Sequence, residues 1–199
     1  MILVTYYLRF CALMARADWL VPTLARLVFA GVLLSYFWVS GLTKLGDGLF
    51  GIFMPSAGAY AQIFPRAMEA VGYDHGQLGV LHWLVVLAGT WAEFLLSFLI
   101  VTGLLTRLAA IGMIGFVALQ TLTDLFGHGA IAEPGTIGAW FDRLPDSVIA
   151  DQRAFWVFVL VVLAIKGAGP ISLDRLVLRN APWARQASPR PAPAQRQAP

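Results

Sequence analysis

The stretch HWLVVLAGTWAEFLLSFLIVTGLLTRLAAIG, residues 82–112, is almost continuously apolar, yet it carries a carboxylic acid, Glu93, near its middle. About 20 apolar residues are enough for an α-helix to cross a bilayer. A carboxylate in the hydrocarbon region costs several kcal/mol, so acids within spans usually face a protein interior and mark a site. The stretch therefore predicts a membrane-spanning helix whose acid faces other helices.

The composition of the whole chain is typical of a membrane protein. Of its 199 residues, 59% are hydrophobic and 13% are charged, whereas soluble domains average about 25% charged residues. The single cysteine, Cys11, excludes an intramolecular disulfide and a CxxC redox pair. The three histidines do not lie deep in apolar runs, so no haem or iron–sulfur ligands are evident. We also find no nucleic-acid motif.

Charged residues delimit four apolar runs that are long enough to span a membrane. We therefore predict an all-α membrane protein, a four-transmembrane-helix bundle with long outer loops at residues 45–78 and 125–148. The four runs lie between Arg26 and Lys44, at residues 79–105, between Arg107 and Asp124, and at residues 149–170.

The remaining segments give the domain boundaries. Residues 1–23 lack the basic start and the small-residue cleavage site of a removable signal peptide, which favours an interfacial N-terminal segment. Residues 24–178 form the four-helix membrane domain. The end of the chain is rich in proline, alanine and arginine without apolar periodicity, so we predict a disordered basic tail at residues 179–199.

Basic residues are distributed unevenly between the ends of the predicted helices. Ten of the 14 lysines and arginines fall in the N-terminal segment, at Arg107 and in the C-terminal part; the two other connections, counted with the charged residues at the adjoining helix ends, hold the remaining four, together with eight acids. Since basic residues mark cytoplasmic segments, we predict that both termini lie in the cytoplasm. A tight cytoplasmic turn at Arg107 and a short amphipathic helix beginning at Ser172, with Asp174 near its start, are also expected.

Polar side chains predict a common site in the outer half of the bundle. At about 1.5 Å per residue, Lys44 lies ~27 Å from Arg26, and Glu93 lies ~21 Å from Arg107, so a lysine stem can bridge their depths. Side chains four residues apart share a helix face. The residues expected to form an outward-facing polar pocket or a structural clamp are Lys44, Glu93, Ser40, Tyr36, Gln120 and Asp124.

Two histidines are candidate metal ligands. His82 and His128, with Glu93 and Asp124, would complete a copper or zinc site, because imidazole and carboxylate groups are suitable donors. The alternative is that His128 is a loop residue and that the polar side chains only hold the helices together. We identify no nucleophile–base arrangement, which favours a protein that is not an enzyme on its own.

Three segments resemble the DoxX-like family of small polytopic inner-membrane proteins. RLVFAGVLLSYFWVSGLTKL resembles its opening helix, WAEFLLSFLIVTGLLTRLAA its second helix and turn, and KGAGPISLDRLV its closing segment. The resemblance covers residues 24–178 and implies a four-helix bundle in a bacterial-type inner membrane. The motif positions that it carries over are Arg26, Lys44, Glu93, Arg107, Gly169, Pro170, Ser172 and Asp174.

The resemblance also implies a class of function. Members of the family are linked to sulfur- and quinone-linked redox complexes, which favours a non-catalytic membrane subunit of a redox or stress-response complex. Its partners would be the lipid bilayer, membrane or soluble proteins, or a second copy of the chain. The alternatives are a carrier of a small solute, proton or metal ion that uses Lys44 and Glu93, and an enzyme acting on quinone or lipid. The residues identify no cofactor and leave quinone open.

Single cysteines introduced on a Cys11→Ala background test the predicted orientation. In spheroplasts, a membrane-impermeant maleimide should label Arg143→Cys in the second long loop and should not label Ser188→Cys in the tail, because the basic segments stay in the cytoplasm. Permeabilised spheroplasts give the reference for full labelling. Ready labelling at position 188 in intact spheroplasts would contradict this orientation.

Overall fold

Four helices make up the body of the protein. The computed structural model describes residues 2–180, and within them four helices are long and apolar enough to cross a membrane: Leu20–Lys44, Val80–Thr102, Thr106–Gly127 and Val148–Lys166. We call them the first to fourth spanning helices. They correspond to the four predicted runs and confirm the predicted all-α class. Of the predicted tail, residues 179 and 180 end the last helix, and residues 181–199 lie outside the described part.

Three of the spanning helices contain a wider, π-helical turn. In the first, the α-helical parts Leu20–Phe29 and Ser35–Lys44 flank the π-helical segment Ala30–Leu34. The third ends in one at Thr123–Gly127, and the fourth begins with one at Val148–Arg153. Such turns displace the side chains that follow and occur often at functional positions. The first spanning helix starts before residue 24, so the predicted domain boundary falls in its first turns.

Short helices fill the two long connections, which lie at the same end of the bundle. We call this end the outer end and the opposite end the inner end, after the predicted orientation. The first connection contains the α-helices Ala57–Ile63 and Pro65–Ala70 and a 3₁₀ turn at His75–Gln77; the second contains a 3₁₀ turn at Ala130–Ala132 and the helix Pro134–Ile137. The indole nitrogens of Trp83 and Trp91 donate to backbone carbonyls of the first connection, at 3.1 and 3.0 Å. These bonds hold the first connection against the second spanning helix.

The core of the bundle is apolar and draws on all four spanning helices. Its largest fully buried side chains are Phe29, Phe37, Ile100, Met113, Leu160 and Leu163. The ring of Phe37 packs edge-on against Phe116 and Trp156, with centroids 5.9 and 6.3 Å apart. Since lipid tails are as apolar as these side chains, close packing and polar contacts, rather than burial alone, hold such helices together.

A separate N-terminal helix, Ile2–Arg16, precedes the bundle and buries none of its residues. Its exposed apolar side chains are what a helix lying in the headgroup region of a membrane presents. Asp18, which follows this helix, forms an exposed ion pair with Lys166 at the end of the fourth spanning helix, with 2.9 Å between Nζ and Oδ1. The predicted interfacial segment is thus a helix beside the inner end of the bundle.

Arg26 ties three segments together at the inner end of the bundle. Its Nε donates to the carbonyl of Ile100 at 3.1 Å, and Nη2 donates to the carbonyl of Val101. Nη1 donates to the carbonyls of Ala168, at 3.0 Å, and Ile171. The last carbonyls of a helix lack partners within the helix and carry partial negative charge, so a cation there is favourable. Arg26 therefore caps the second spanning helix and fixes the segment after the fourth.

Asp174 caps the start of the third spanning helix. Its Oδ1 accepts a hydrogen bond from the amide of Leu105 at 2.7 Å, and Oδ2 accepts one from the amide of Thr106 at 3.0 Å. The hydroxyl of Ser172 accepts from the amide of Arg175 at 3.2 Å and so caps the C-terminal helix, Leu173–Asn180. The structure has the expected helix after Ser172, and it gives Asp174 a second role that was not predicted.

The turn between the second and third spanning helices requires a glycine. Gly103 has a φ of 71°, in the left-handed region, and a Cβ at this position would lie 2.7 Å from the Cβ of Ser172 and 2.8 Å from the Cζ of Arg26. The absence of a side chain therefore permits both the backbone conformation and the close approach of the C-terminal segment. The tight turn expected at Arg107 lies at residues 103–105 instead, and Arg107 belongs to the first turn of the third spanning helix.

Removing the Asp174 carboxylate should destabilise the inner end of the bundle. Asp174→Ala leaves the amides of Leu105 and Thr106 without their acceptor, and the loss of such a cap typically costs about 0.5–2 kcal/mol. We expect a lower thermal unfolding temperature in detergent, followed by tryptophan fluorescence. The control is Asp47→Ala, since the Asp47 carboxylate has no hydrogen bond or ion pair within residues 2–180. Equal unfolding temperatures for the two variants would refute this role.

Candidate functional site

A lysine–glutamate ion pair joins the outer halves of the first and second spanning helices. Nζ of Lys44 lies 2.9 Å from Oε1 and 3.0 Å from Oε2 of Glu93. The hydroxyl of Ser40 donates to Oε1 of Glu93 at 2.9 Å and accepts from Nζ of Lys44 at 2.6 Å. The three side chains thus form a closed hydrogen-bonded group. Lys44 and Glu93 are the residues whose predicted depths in the bundle lie within reach of a lysine side chain.

This ion pair is enclosed by protein. Lys44 is 5% exposed and Glu93 is 4% exposed. The pair lies inside the bundle and does not line an open outward-facing pocket in this conformation. Both carboxylate oxygens of Glu93 accept hydrogen bonds, two at Oε1 and one at Oε2. A buried pair of this kind has a large desolvation cost, which good geometry and the extra bond from Ser40 offset.

The first outer connection covers the pair from the outside. The amide of Ser56 donates to the carbonyl of Lys44 at 3.0 Å, and the hydroxyl of Ser56 donates to the carbonyl of Thr43 at 3.2 Å. One turn inward, the indole of Trp38 donates to the hydroxyl of Ser97 at 3.0 Å, a second polar contact between the same two helices. The ion pair therefore has a polar contact on either side of it along the helix axis.

Close packing brings the two helices within reach of each other. A Cβ on Gly41 would lie 2.6 Å from the ring of Phe94, the residue after Glu93. The glycine thus lets an aromatic ring lie directly against the backbone of the first spanning helix. Small residues at helix interfaces in membranes allow this kind of approach.

The other predicted members of the site form separate contacts. Gln120 donates from Nε2 to the Tyr36 hydroxyl at 2.7 Å, which joins the third spanning helix to the first. Asp124 forms an ion pair with Arg153, which also donates to the Thr121 hydroxyl at 2.8 Å. Of the six residues expected at one site, Lys44, Glu93 and Ser40 bond directly to one another, and the other three have different partners. The depth of a residue gives its height in the bundle but not the neighbour that it faces.

Arg153 is a buried polar residue that the charge distribution grouped with the outer connections, although it falls within the fourth predicted run, residues 149–170. The fourth spanning helix begins at Val148, after a cap in which the Ser147 hydroxyl accepts from the amide of Asp151. Arg153 therefore lies more than one turn inside that helix, where it is 5% exposed and joins two π-helical turns through Asp124. Its burial could have been predicted from its position six residues after the capping Ser147. A cation more than one turn into an apolar helix needs a partner inside the protein.

The two histidines make different contacts. The ring of His82 packs edge-on against Phe64, with centroids 4.8 Å apart, and its Nδ1 is buried without a hydrogen-bond partner. Nε2 of His128 lies 3.0 Å from the carbonyl oxygen of Gln62. Within residues 2–180, no group of three or more His, Cys, Asp or Glu side chains is placed to hold a metal ion. The predicted metal candidates are therefore not assembled in the part of the chain that the structure describes.

The remaining motif positions lie at the opposite, inner end. Arg26, Ser172 and Asp174 make the helix-capping contacts described above. Gly169 adopts a φ of 77° in the segment that leads through Pro170 into the C-terminal helix. Arg107 is exposed, and its Nε would lie 3.3 Å from a Cβ placed on Gly167. The positions thus divide into an outer ion pair and an inner set of capping contacts.

Single and combined substitutions of Lys44 and Glu93 test whether the two residues stabilise the protein as a pair or independently of each other. Lys44→Met and Glu93→Gln should each lower the unfolding temperature in detergent, since stranding one buried partner typically costs about 3–5 kcal/mol. The combined variant should recover much of the loss, because no unpaired charge remains. The control is Asp18→Asn, which breaks the exposed pair with Lys166 and should cost ~0–1 kcal/mol. Additive losses in the combined variant would contradict a direct pairing.

The comparison with known families covers the region that contains the ion pair. The family model described as DoxX matches residues 21–127, more than half of the chain. The match includes the first three spanning helices, whereas the closing KGAGPISLDRLV segment lies beyond it. No curated protein and no solved structure matches the chain. With four helices able to cross a membrane and a family match that contains both partners of its buried ion pair, the chain belongs to the DoxX family of multi-pass membrane proteins.

Proposed function

We propose that this protein is a non-catalytic membrane subunit of a redox or stress-response complex, in which it holds partner proteins at the bilayer. The observation that carries the proposal is the enclosed state of the Lys44–Glu93 pair, whose charged atoms are all bonded to each other or to the first spanning helix. A group that is both buried and fully bonded is suited to joining helices. The sulfur- or quinone-linked chemistry belongs, in this proposal, to the partner.

Exposed aromatic side chains on the outer connections support the docking of a partner. Phe50 and Phe53 in the first connection and Trp140 and Phe141 in the second are all at least half exposed, and Phe141 is fully exposed. These residues lie outside the four spanning helices. Exposed apolar patches of this kind mark contacts with proteins or membranes. We therefore assign the outer connections as the docking surface of the complex.

Affinity purification at native expression level tests the proposed role. A tagged protein, extracted in a mild detergent, should copurify with an oxidoreductase or another redox protein in constant ratio. The substitution Phe141→Ser should lower the recovery of that partner several-fold, because it removes an exposed aromatic contact. The control is Leu8→Ser, which removes an exposed apolar side chain from the N-terminal helix. Recovery of the protein alone under these conditions would count decisively against a subunit role.

A carrier of a small solute, proton or metal ion is the second candidate. It is favoured by two buried polar atoms in the outer half, Oε1 of Gln120 and Nε of Arg153, that have no hydrogen-bond partner. Such atoms usually bind water or a ligand. Proteoliposomes containing the purified protein separate the two functions: uptake that is lost in the combined Lys44→Met and Glu93→Gln variant supports the carrier, and partner capture that survives in that variant supports the subunit.

A further inference from the structure

We propose that the inner end of the bundle binds the headgroup of an anionic phospholipid. The site is a cleft of about 710 Å³ between the start of the third spanning helix, the end of the fourth and the C-terminal helix. Three cationic residues line it, one from each of these helices: Arg107, Lys166 and Arg175. The inference does not depend on the proposed role in a complex.

The cleft continues along the C-terminal segment. A second cavity of about 480 Å³ is lined by Arg26 and Thr102 on its far side, and it shares Pro170, Ser172 and Arg175 with the first. Both lie at the ends of spanning helices, which is the level of lipid headgroups. The capping contacts of Arg26 and Asp174 fix the walls of this region, so the cleft is a preformed part of the fold.

The charge in the cleft is largely uncompensated. The side chains of Arg107 and Arg175 have no acidic partner among the described residues, and both are exposed. Lys166 pairs with Asp18, but their side chains are 43% and 62% exposed, and such surface pairs exchange readily. The one acid in the lining, Asp174, already accepts two backbone amides. An arginine offers the paired donors that suit a phosphate group.

Apolar residues in the same cleft favour a lipid over free phosphate. Leu105 and Leu108 flank Arg107 and are 55% and 67% exposed. Leu108 belongs to the third spanning helix and continues the surface of the cleft toward the membrane interior. A free phosphate makes no favourable contact with these leucines, whereas a phospholipid places its acyl chain against them and its phosphate against the cations. Basic pockets between spanning helices are suited to such headgroups.

The absence of a side chain at Gly167 keeps room beside the Arg107 guanidinium. A Cβ there would lie 3.3 Å from Nε of Arg107, closer than most side-chain contacts allow, and the residue has a φ of 80°. The glycine thus both ends the fourth spanning helix and leaves the arginine free to turn toward a ligand. This combination makes Arg107 the central residue of the proposed site.

Native mass spectrometry of the purified full chain tests the proposal with three probes: phosphatidylglycerol, phosphatidylcholine and inorganic phosphate. We expect phosphatidylglycerol to remain bound, and phosphatidylcholine and phosphate not to. Combined Arg107→Gln and Arg175→Gln substitutions should weaken the binding of phosphatidylglycerol about tenfold, because each basic residue near a membrane surface contributes to anionic lipid binding. The matched control, Arg66→Gln with Arg143→Gln, makes the same charge change at exposed positions on the outer connections and should leave binding unchanged.

Further outcomes decide against the proposal. Equal retention of the two lipids, equal loss in the control variant, or binding of inorganic phosphate as tight as that of phosphatidylglycerol would each overturn it. The combined Arg107→Lys and Arg175→Lys variant guards against misfolding, since it keeps both charges and should retain most of the binding. Unweakened lipid binding in the folded glutamine variant would also refute the assignment of these two arginines.

Discussion

The ion pair between Lys44 and Glu93 is the interaction on which the arrangement of the first two spanning helices depends. Each partner alone is unfavourable in the hydrocarbon region, so the two are stable there only when the helices meet at one depth and with facing sides. Apolar packing tolerates small shifts along a helix, because one aliphatic contact can replace another. The buried pair and its shared serine do not tolerate such shifts, because movement of either helix along its axis would separate the two charges.

The inner end of the bundle is fixed in a different way. Arg26 and Asp174 bond to backbone groups at helix ends, where carbonyls and amides have no partners of their own. Each charge is thus matched by the partial charges of a helix terminus, and no second ionised side chain has to be buried with it. The Lys44–Glu93 pair is thus a contact between two side chains, whereas Arg26 and Asp174 contact the backbone.

Sequence patterns predicted the spanning helices well because charged residues cannot be placed freely within a bilayer, so their positions mark where helices end. The Lys44–Glu93 pair could be predicted for a related reason, since helix geometry gives depth from residue number. The partners of Tyr36, Gln120 and Asp124 could not, because rotation of one helix relative to another depends on packing among all four. The dual role of Asp174 also escaped prediction, as its acceptor function involves a turn about 70 residues earlier in the chain.

That distance along the chain has a consequence for how the protein is made. The amides of Leu105 and Thr106 are synthesised about 70 residues before the carboxylate that accepts from them, so the third spanning helix has no such acceptor until residue 174 has been added. The contacts that Arg26 and Asp174 make at the inner end of the bundle thus depend on residues that follow the fourth spanning helix. Synthesis of residues 168–174, which follow the fourth spanning helix, is therefore required before the inner end of the bundle can close.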